Sequence, residues 1–205
     1  MRKLYGGVLC LDFANTLEPR AAEPVRDWLG GYHDLVAWAR HAGALDDATG
    51  ERLLALAAGR QAAAEASFAA AIELREATYR AFAAVAEGAA PAAADLDVVQ
   101  RAYAEAMRHA RLLPAPAADQ LAWTWEEGEL DRAWWPMARS AVELATAGPL
   151  ERVKRCRPGC GFLFFDASKN RIRRWCSMEE CGGQTKARRQ TARRRAARAQ
   201  TRAGG

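Results

Sequence analysis

The chain has 205 residues, half of them apolar, which is enough for one ordinary domain and a small additional module. Residues 1–150 carry 14 basic and 21 acidic side chains, whereas residues 151–205 carry 16 basic and 4 acidic ones. An acidic body joined to a basic tail is typical of a protein that binds a polyanion through one module. The apolar runs are too short for a membrane span or an export signal, so the sequence predicts a cytoplasmic protein without membrane contact.

Residues 1–148 are predicted to form a mainly α-helical domain with small β elements. Apolar residues recur there at helical spacing, and Gly, Pro and Asp residues mark the ends of the periodic segments. The predicted helices begin at Tyr32, at a capping Asp46 or Asp47, near residue 66, at Asp95 and near Trp134. The segment 66–87 has the strongest periodic signal and places Arg75 on its outward face. The dipeptide Gly148-Pro149 ends the last helix and is the predicted domain boundary.

Aromatic residues are concentrated in this first domain. Leu121, Trp123 and Trp125 alternate with smaller residues, and the turn residues 126–128 follow them, which predicts a small hairpin. Six of the seven tryptophans lie before residue 149. They either form part of the core or line a pocket for an aromatic ligand, and the sequence leaves both interpretations open.

The segment 4–17 is apolar except for a few polar side chains, of which Asp12 and Asn15 stand among large apolar residues. A buried carboxylate or amide needs a partner, since an unsatisfied one costs several kcal/mol, about 2–7 for an amide. We expect these two side chains to bind backbone groups nearby. The alternative is that they line a pocket for a small effector molecule.

Four of the five cysteines lie near the C-terminal end, at positions 156, 160, 176 and 181. They follow the pattern C-x3-C, fifteen residues, then C-x4-C. Two close pairs separated by a segment that can fold back supply the four corners of a tetrahedron, so the pattern predicts one structural Zn²⁺ bound by Cys156, Cys160, Cys176 and Cys181. With four sulfur ligands no position remains for water, and the ion would support folding only. Two disulfides are the less favoured alternative.

The residues around the cysteines predict a treble-clef-like finger. Arg157-Pro158-Gly159 forms a tight turn between the first two thiols and gives a zinc knuckle. Phe162 to Phe165 is predicted to be a strand that pairs with a return strand over residues 171–175. Ser177 stands three residues before Glu180, which is typical of the start of a helix.

The segments RCRPGCGFLFFD and RRWCSMEECG, with the Arg-rich segment that follows, resemble the CGNR zinc finger of bacterial regulators. In that family the finger follows a domain called ABATE, which often opens with a segment like residues 11–17. The resemblance implies an ABATE domain over 1–148, a zinc finger over 149–205, and a role in transcription regulation. After Cys181-Gly182 the family usually has Asn and Arg, where this chain has Gly183 and Gln184. This departure leaves the metal ligands unchanged.

The basic side chains of the finger are the predicted contacts to double-stranded DNA. Phosphate contacts supply affinity without sequence choice, and residues near the start of the last helix are placed to reach base edges. The predicted DNA-binding residues are Arg171, Arg173, Arg174, Gln184, Lys186, Arg188, Arg189, Arg193 and Arg194. The basic residues after Lys186 point nearly all round the last helix and leave only an uncharged stripe of Ala192, Ala196 and Ala199, so we expect this helix to fray beyond about Thr191 in the free protein and to become ordered against phosphate.

The sequence therefore predicts a zinc-dependent, DNA-binding transcription regulator whose helical domain senses a small molecule or a partner. The alternative is an interaction module that binds RNA or an acidic protein through the finger. Enzyme motifs such as H-E-x-x-H, G-x-S-x-G and a phosphate loop are absent from the sequence, so no catalytic activity is predicted. The sequence leaves open whether the helical domain forms a homodimer.

Overall fold

The computed structural model describes residues 3–20, 22–114, 120–156, 160–183 and 191. Over these residues the chain is mainly α-helical, with three two-stranded antiparallel sheets. The helices are α1 (Leu9–Ala14), α2 (Tyr32–His41), α3 (Asp47–Ala58), α4 (Gln61–Ala86), α5 (Ala93–Arg108) and α6 (Trp135–Ala147). The strands are β1 (Leu17–Glu18), β2 (Arg26–Asp27), β3 (Ala110–Pro114), β4 (Leu121–Trp125), β5 (Val153–Arg155) and β6 (Leu163–Phe165). Short 3₁₀ turns lie at Leu130–Ala133 and Leu150–Arg152, and a π-helical turn at Met178–Gly182.

The predicted starts of α2 and α3 are confirmed, whereas α4 begins at Gln61, ahead of the predicted residue 66, and α5 begins at Ala93, ahead of Asp95. Helix α2 begins at Tyr32, and the chain leaves it through Gly43, whose positive φ of 71° suits a residue without a side chain. Helix α3 is capped by Asp46, whose Oδ1 accepts a hydrogen bond from the Thr49 amide at 2.6 Å. Local sequence signals are reliable here because each cap uses only neighbouring residues.

The core of the helical domain surrounds α1, which packs against α4 and α6. Phe13 of α1 is fully buried, and its ring lies 5.4 Å from that of Trp38 on α2. Cys10 is also fully buried, and this burial raises the pKa of its thiol to about 12. Cys10 is therefore a small core residue and not a reactive thiol. Within the described residues, no helix combines the length and apolar character needed to cross a bilayer.

The prediction for Arg75 was wrong, because this side chain points into the protein and is only 2% exposed. Its guanidinium donates to both carboxylate oxygens of Asp27, each at 2.7 Å, and to the Thr16 hydroxyl at 3.2 Å. Helical periodicity could not reveal this, because Asp27 lies on β2, 48 residues earlier in the chain. A buried charge of this kind is retained where an opposite charge meets it with good geometry.

The partners of two predicted strands also differ from expectation. Strand β4 pairs with β3, which precedes it, from Ala110 opposite Trp125 to Pro114 opposite Leu121. Strand β6 pairs with β5, from Val153 opposite Phe165 to Arg155 opposite Leu163. The predicted return strand over 171–175 is not formed, and the hairpin of the finger instead closes around the first cysteine pair.

Candidate metal centre and its junction with the helical domain

The four cysteines of the finger come together at one point. Their sulfur atoms all lie within 4.8 Å of one another, and the Sγ atom of Cys176 is 3.7 Å from that of Cys160 and 3.6 Å from that of Cys181. A tetrahedral zinc ion with Zn–S bonds of about 2.3 Å separates its sulfur ligands by about 3.8 Å. The spacing of the thiols is therefore close to that of the ligands around one zinc ion.

The chemistry of the donor set agrees with this geometry. The Cys156 and Cys176 side chains are almost fully buried, and hydrogen bonds from the neighbouring Cys160 and Cys176 thiols lower the pKa of Cys156. Such a cluster already favours one thiolate, and a divalent cation would draw the remaining protons off the other three thiols. Four sulfur ligands leave no open position, so the finger holds a structural zinc ion.

The segment 162–165, which contains strand β6, contributes to two cores. Phe162 and Phe164 pack with Cys156 and Cys176 around the metal centre. Leu163 is part of the core of the helical domain, and Phe165 packs against it. This division follows from the alternation of side chains along a strand. The finger is therefore built onto the helical domain through a shared strand.

Cys160 and Gly161, at the end of the first cysteine pair, are held in place by two residues of the helical domain. The Arg20 backbone amide donates to the Cys160 carbonyl at 2.7 Å, and the Tyr79 hydroxyl donates to the Gly161 carbonyl at 2.9 Å. The Arg20 guanidinium in turn stacks on the Tyr79 ring, 4.2 Å from its centroid. Sequence reasoning missed both residues, since nothing local to either one indicates contact with a distant cysteine pair.

Asp166 organises the segment that connects the two cysteine pairs. Its buried carboxylate accepts hydrogen bonds from the Lys154 ammonium at 2.6 Å, the Ser168 amide at 3.0 Å and the Arg173 amide at 3.0 Å. Although burial raises the pKa of Asp166, these hydrogen bonds outweigh it and hold that pKa well below the usual range. Because the Asp166 carboxylate accepts hydrogen bonds from backbone amides of the segment between the cysteine pairs, this segment forms a loop and not the predicted return strand.

Arg173, a predicted DNA contact, supports the second cysteine pair. Its guanidinium donates to the Trp175 carbonyl at 2.9 Å and to the Cys176 carbonyl, and it lies 4.8 Å from the centroid of the Phe164 ring. The predicted cap at Ser177 is confirmed, since its hydroxyl accepts from the Glu180 amide at 3.2 Å. Both contacts fix the turn that carries Cys181.

The other predicted DNA-binding residues divide into two groups. Arg171 and Arg174 are exposed in the loop before Cys176, and the Arg171 guanidinium lies 2.9 Å from the Glu151 carboxylate. The predicted knuckle turn over 157–159 lies outside the described residues, as do the remaining predicted contacts. These are Gln184, Lys186, Arg188, Arg189, Arg193 and Arg194.

Asn15 joins the helical domain to the finger. Its side-chain amide donates to the Leu163 carbonyl at 2.8 Å and accepts from the Leu163 amide at 2.9 Å, so it covers the edge of β6 that faces away from β5. The Gly6 carbonyl accepts from the Phe165 amide on the same edge, and the Gly6 amide donates to Asp12 at 2.6 Å. The expectation that Asp12 and Asn15 bind backbone groups is confirmed.

Asp12 and Asn15 also line a cavity, and its occupation by an effector, the alternative interpretation, stays a prediction. A partly open cavity of about 110 Å³ lies at the junction and is lined by residues of both modules. The helical domain contributes Asp12, Asn15, Trp28 and Trp38, and the finger contributes Phe162. Of the six tryptophans considered as pocket residues, Trp28 and Trp38 alone line this cavity, whereas Trp134 and Trp135 are buried in the core.

A helical domain joined to a four-cysteine centre defines a zinc-finger protein in which the finger is fixed to its neighbour. The family model named ABATE, described as "Putative stress-induced transcription regulator", matches residues 7–148, and the CGNR zinc finger model matches residues 152–194. The first match covers more than half of the chain, so the protein belongs to the ABATE family and carries a CGNR zinc finger. Neither family is a family of enzymes. A search of curated proteins finds no match to the chain.

Proposed function

We propose that the protein regulates transcription by binding double-stranded DNA through its finger. The domain of residues 1–148 would act as the sensor and that of residues 149–205 as the DNA-binding module. The observation that carries this proposal is the uneven charge, because 16 of the 30 basic residues lie in residues 151–205 with only 4 of the 25 acidic ones. A polyanion repels the acidic residues 1–150 and attracts the basic residues 151–205, and this difference orients the protein when it binds.

The zinc ion would give this basic region a fixed shape. Lys169, Arg171 and Arg174 are exposed on the loop between the cysteine pairs, and Asp166 holds that loop in place. The segment with Lys186, Arg188 and Arg189 follows Cys181 directly in the chain. We therefore expect loop and tail to contact neighbouring phosphates, with Gln184 and Lys186 among the side chains that read base edges.

The test is a fluorescence-anisotropy titration of a labelled duplex at about 50 and 200 mM salt. Each phosphate neutralised on duplex DNA contributes about 0.9 to the slope of log K against log salt, so affinity should fall steeply. Arg174→Ala should weaken binding severalfold and reduce the slope by about one. Arg101→Ala is the matched control, since it removes an exposed charge from α5 of the helical domain and should change neither value.

Other outcomes would redirect the proposal. Preference for single-stranded RNA over duplex DNA, or capture by an acidic protein alone, would favour the interaction-module alternative. Absent or salt-insensitive binding would reject a phosphate-binding role. Selection from a random duplex pool, with and without a chelator, would then identify the bound sequence and show whether zinc is required for it.

We further propose that the junction cavity receives the effector. A molecule in this cavity would touch Phe162 of the finger and lie beside Asn15, whose amide holds Leu163. It could therefore bind one arrangement of helical domain and finger better than another, which is what coupling between two sites requires. A ligand of the cavity should shift the DNA affinity, and DNA should shift the affinity for the ligand by the same factor.

A further inference from the structure

A second cleft lies within the helical domain, between α3 and the turn that follows β4. Its volume is about 330 Å³, at the lower end of the range of about 300–1,000 Å³ that is typical of small-molecule sites. One face of α3 supplies Thr49, Arg52, Leu53 and Leu56 at helical spacing, and the segment 127–132 forms the opposite wall. None of these residues is among the described residues that line the junction cavity. The cleft is therefore a separate place where a small molecule can bind.

Two guanidinium groups converge in this cleft. The Arg52 guanidinium donates to the Thr49 hydroxyl at 3.1 Å, and the Arg132 guanidinium approaches the same oxygen at 3.5 Å. Thr49 is only 2% exposed, so its hydroxyl is a fixed point for both groups. Two like charges that meet at one atom repel each other, and an anion bound between them relieves this repulsion.

Arg132 lacks the partner that a half-buried charge normally has. Among the described residues, no carboxylate oxygen lies within 4.0 Å of its guanidinium, and the Thr49 contact is at the long limit of a hydrogen bond. Glu127 instead pairs with Arg52 at 3.1 Å, and Asp46 is engaged as the cap of α3. Burial lowers the pKa of Arg132, and the attraction of Glu127 does not restore it. Arg132 therefore retains donors for an anion from outside the chain.

The charges around the cleft favour a ligand with a single negative charge. The described lining residues carry two positive charges and one negative charge, from Arg52, Arg132 and Glu127. A carboxylate balances this lining, whereas Glu127 and the nearby Asp46 repel the second charge of a phosphate dianion. The planar carboxylate also matches the fork of a guanidinium.

The remaining wall of the cleft is apolar and suits an aliphatic chain. Leu53 is 3% exposed and Leu56 is partly buried, and both side chains line the cleft. An apolar cavity of about 150 Å³ can hold benzene, so a cleft of this volume has room for a chain of about six carbons with its head group. Contact of such a chain with the two leucines removes apolar surface from water.

From these observations we infer that the cleft binds a small aliphatic carboxylate. The carboxylate accepts hydrogen bonds from Arg132, with Arg52 beside it, and the chain packs against Leu53 and Leu56. This site belongs to the helical domain and does not depend on the proposed contact with DNA.

Isothermal titration calorimetry on the full-length, zinc-loaded protein tests the inference with four compounds, which are hexanoate, acetate, hexylamine and inorganic phosphate. Hexanoate should bind at millimolar concentration. Acetate should bind at least tenfold more weakly, because it leaves the two leucines in contact with water. Hexylamine should not bind measurably, since the arginines repel its ammonium group, and phosphate should bind less tightly than hexanoate.

Two substitutions of Arg132 assign the head-group contact. Arg132→Gln should weaken hexanoate binding at least tenfold, whereas Arg132→Lys keeps the charge without the planar fork and should weaken it less. Urea unfolding should find Arg132→Gln at least as stable as the wild type, because it removes a half-buried charge that has no ion pair among the described residues. Loss of binding is then not a loss of folding. Arg101→Gln removes an exposed charge from α5 and should leave hexanoate binding unchanged.

Two further variants separate the chain from the charge. Leu56→Ala should weaken hexanoate binding severalfold and leave acetate binding unchanged. Glu127→Gln should strengthen hexanoate binding severalfold, because it removes a repelling charge and releases Arg52 from its ion pair. The Glu127 side chain is 69% exposed, so this substitution should not disturb the fold.

The inference is overturned if hexanoate and acetate bind equally, if phosphate binds as tightly as hexanoate, or if neither carboxylate binds at millimolar concentration. It is also overturned if Arg132→Gln binds hexanoate normally or if Glu127→Gln binds it more weakly. The DNA titration is run on the same protein samples. Hexanoate binding without DNA binding rejects the proposed function alone, and DNA binding without hexanoate binding rejects this site alone.

Discussion

The helical domain buries its apolar side chains in one large core, whereas the finger has very few apolar side chains of its own to bury. The core of the helical domain draws on all six α-helices, with Phe13, Leu74 and Trp135 among its fully buried members. Among the described residues, the core around the metal centre has four buried members, Cys156, Phe162, Phe164 and Cys176. Segments this small are normally stable only with a metal, a disulfide or a partner surface. Here the finger uses two of these, zinc and the helical domain.

The comparison also shows where the two modules depend on each other. The segment 162–165, which contains strand β6, gives Phe162 and Phe164 to the metal centre and Leu163 to the larger core. Polar contacts from Asn15, Arg20 and Tyr79 then fix the backbone of the finger. We therefore expect the helices of the helical domain to fold without zinc, and the finger to need both zinc and the helical domain.

Loss of zinc should have the largest effect and should be confined to the finger. Cys176→Ser removes one of four sulfur ligands, and structural zinc sites of this type contribute about 10–16 kcal/mol to the folding of their modules. Metal analysis should find less than one tenth of the wild-type zinc. Hydrogen exchange should become fast over 153–183 and stay slow in α1, α4 and α6.

Cys10→Ala is the control for this variant, because Cys10 lies in the helical core, far from the sulfur cluster in sequence and outside it in space. It should retain a full equivalent of zinc. Unfolding of the helices together with zinc loss would contradict the independence of the two modules, and full zinc binding by Cys176→Ser would contradict the ligand assignment.

Leu163→Ala should have the next largest effect, on the other face of the same strand. The side chain is fully buried in the helical core, so its truncation should cost about 2–5 kcal/mol in the free energy of unfolding. Urea unfolding measures this loss, and zinc should remain bound in the folded protein. Ile172→Ala, at a side chain that is 73% exposed, should change the stability by less than about 0.5 kcal/mol. An equal effect of both substitutions would refute the division of β6 between two cores.

Asn15→Ala should weaken the junction itself by about 1–3 kcal/mol. The substitution leaves the Leu163 amide and carbonyl without the side chain that satisfies both, at 2.9 and 2.8 Å. Exchange of the Leu163 amide hydrogen should accelerate more than that of amides in α4. Thr146→Ala, which removes one hydrogen bond to the Val142 carbonyl on the exposed side of α6, should leave Leu163 unaffected. If the Leu163 amide hydrogen exchanges as slowly as in the wild type, Asn15 does not stabilise the junction.

Asp27→Asn should have the smallest effect, about 1 kcal/mol at neutral pH, because Asp27 is partly exposed. Although burial raises the pKa of Asp27, hydrogen bonds from Arg75 outweigh it and leave the pKa below its usual value. The pKa of Asp27 is thus lower in the folded state than in the unfolded state, where it is about 3.9, so the ionised carboxylate stabilises the folded protein above about pH 3.9. This stabilisation is lost as the pH falls through the pKa of the folded state.

The stability difference between wild type and Asp27→Asn should therefore be constant from pH 7 to about 5 and shrink below about pH 4. Urea unfolding at several pH values measures it. Zinc is released from both proteins in acid, so their difference alone is compared. A difference that grows toward acid pH would show that Asp27 is not held ionised by Arg75.

Much of the fold and of the metal centre could be predicted from local signals. The four cysteines identified the zinc site because close pairs at knuckle spacing need only short-range turns to meet. Asp46 and Ser177 were recognised as caps for the same reason, since each binds an amide three residues away. The turn over 126–128 was misleading, because the partner of β4 lies upstream, and strand pairing is decided by contacts that a local window does not contain.

The residues that join the two modules could not be predicted. Asn15 and Leu163 are 148 positions apart, and Tyr79 and Gly161 are 82 apart. The sequence indicated only that Asp12 and Asn15 would need partners. It did not indicate that Arg75 would be buried, because the Asp27 carboxylate that balances it lies on a different element.

The sequence by itself therefore determined the helices with their caps, the sulfur cluster with its ion, and the family. These features depend on neighbouring residues and on the fixed chemistry of thiols. The tertiary structure alone decided which strand the finger shares with the helical domain, which charges are buried, and that a cavity lies between the two modules. Each of these arises where distant segments meet, and the free energy of such a meeting depends on side chains that no local pattern brings together.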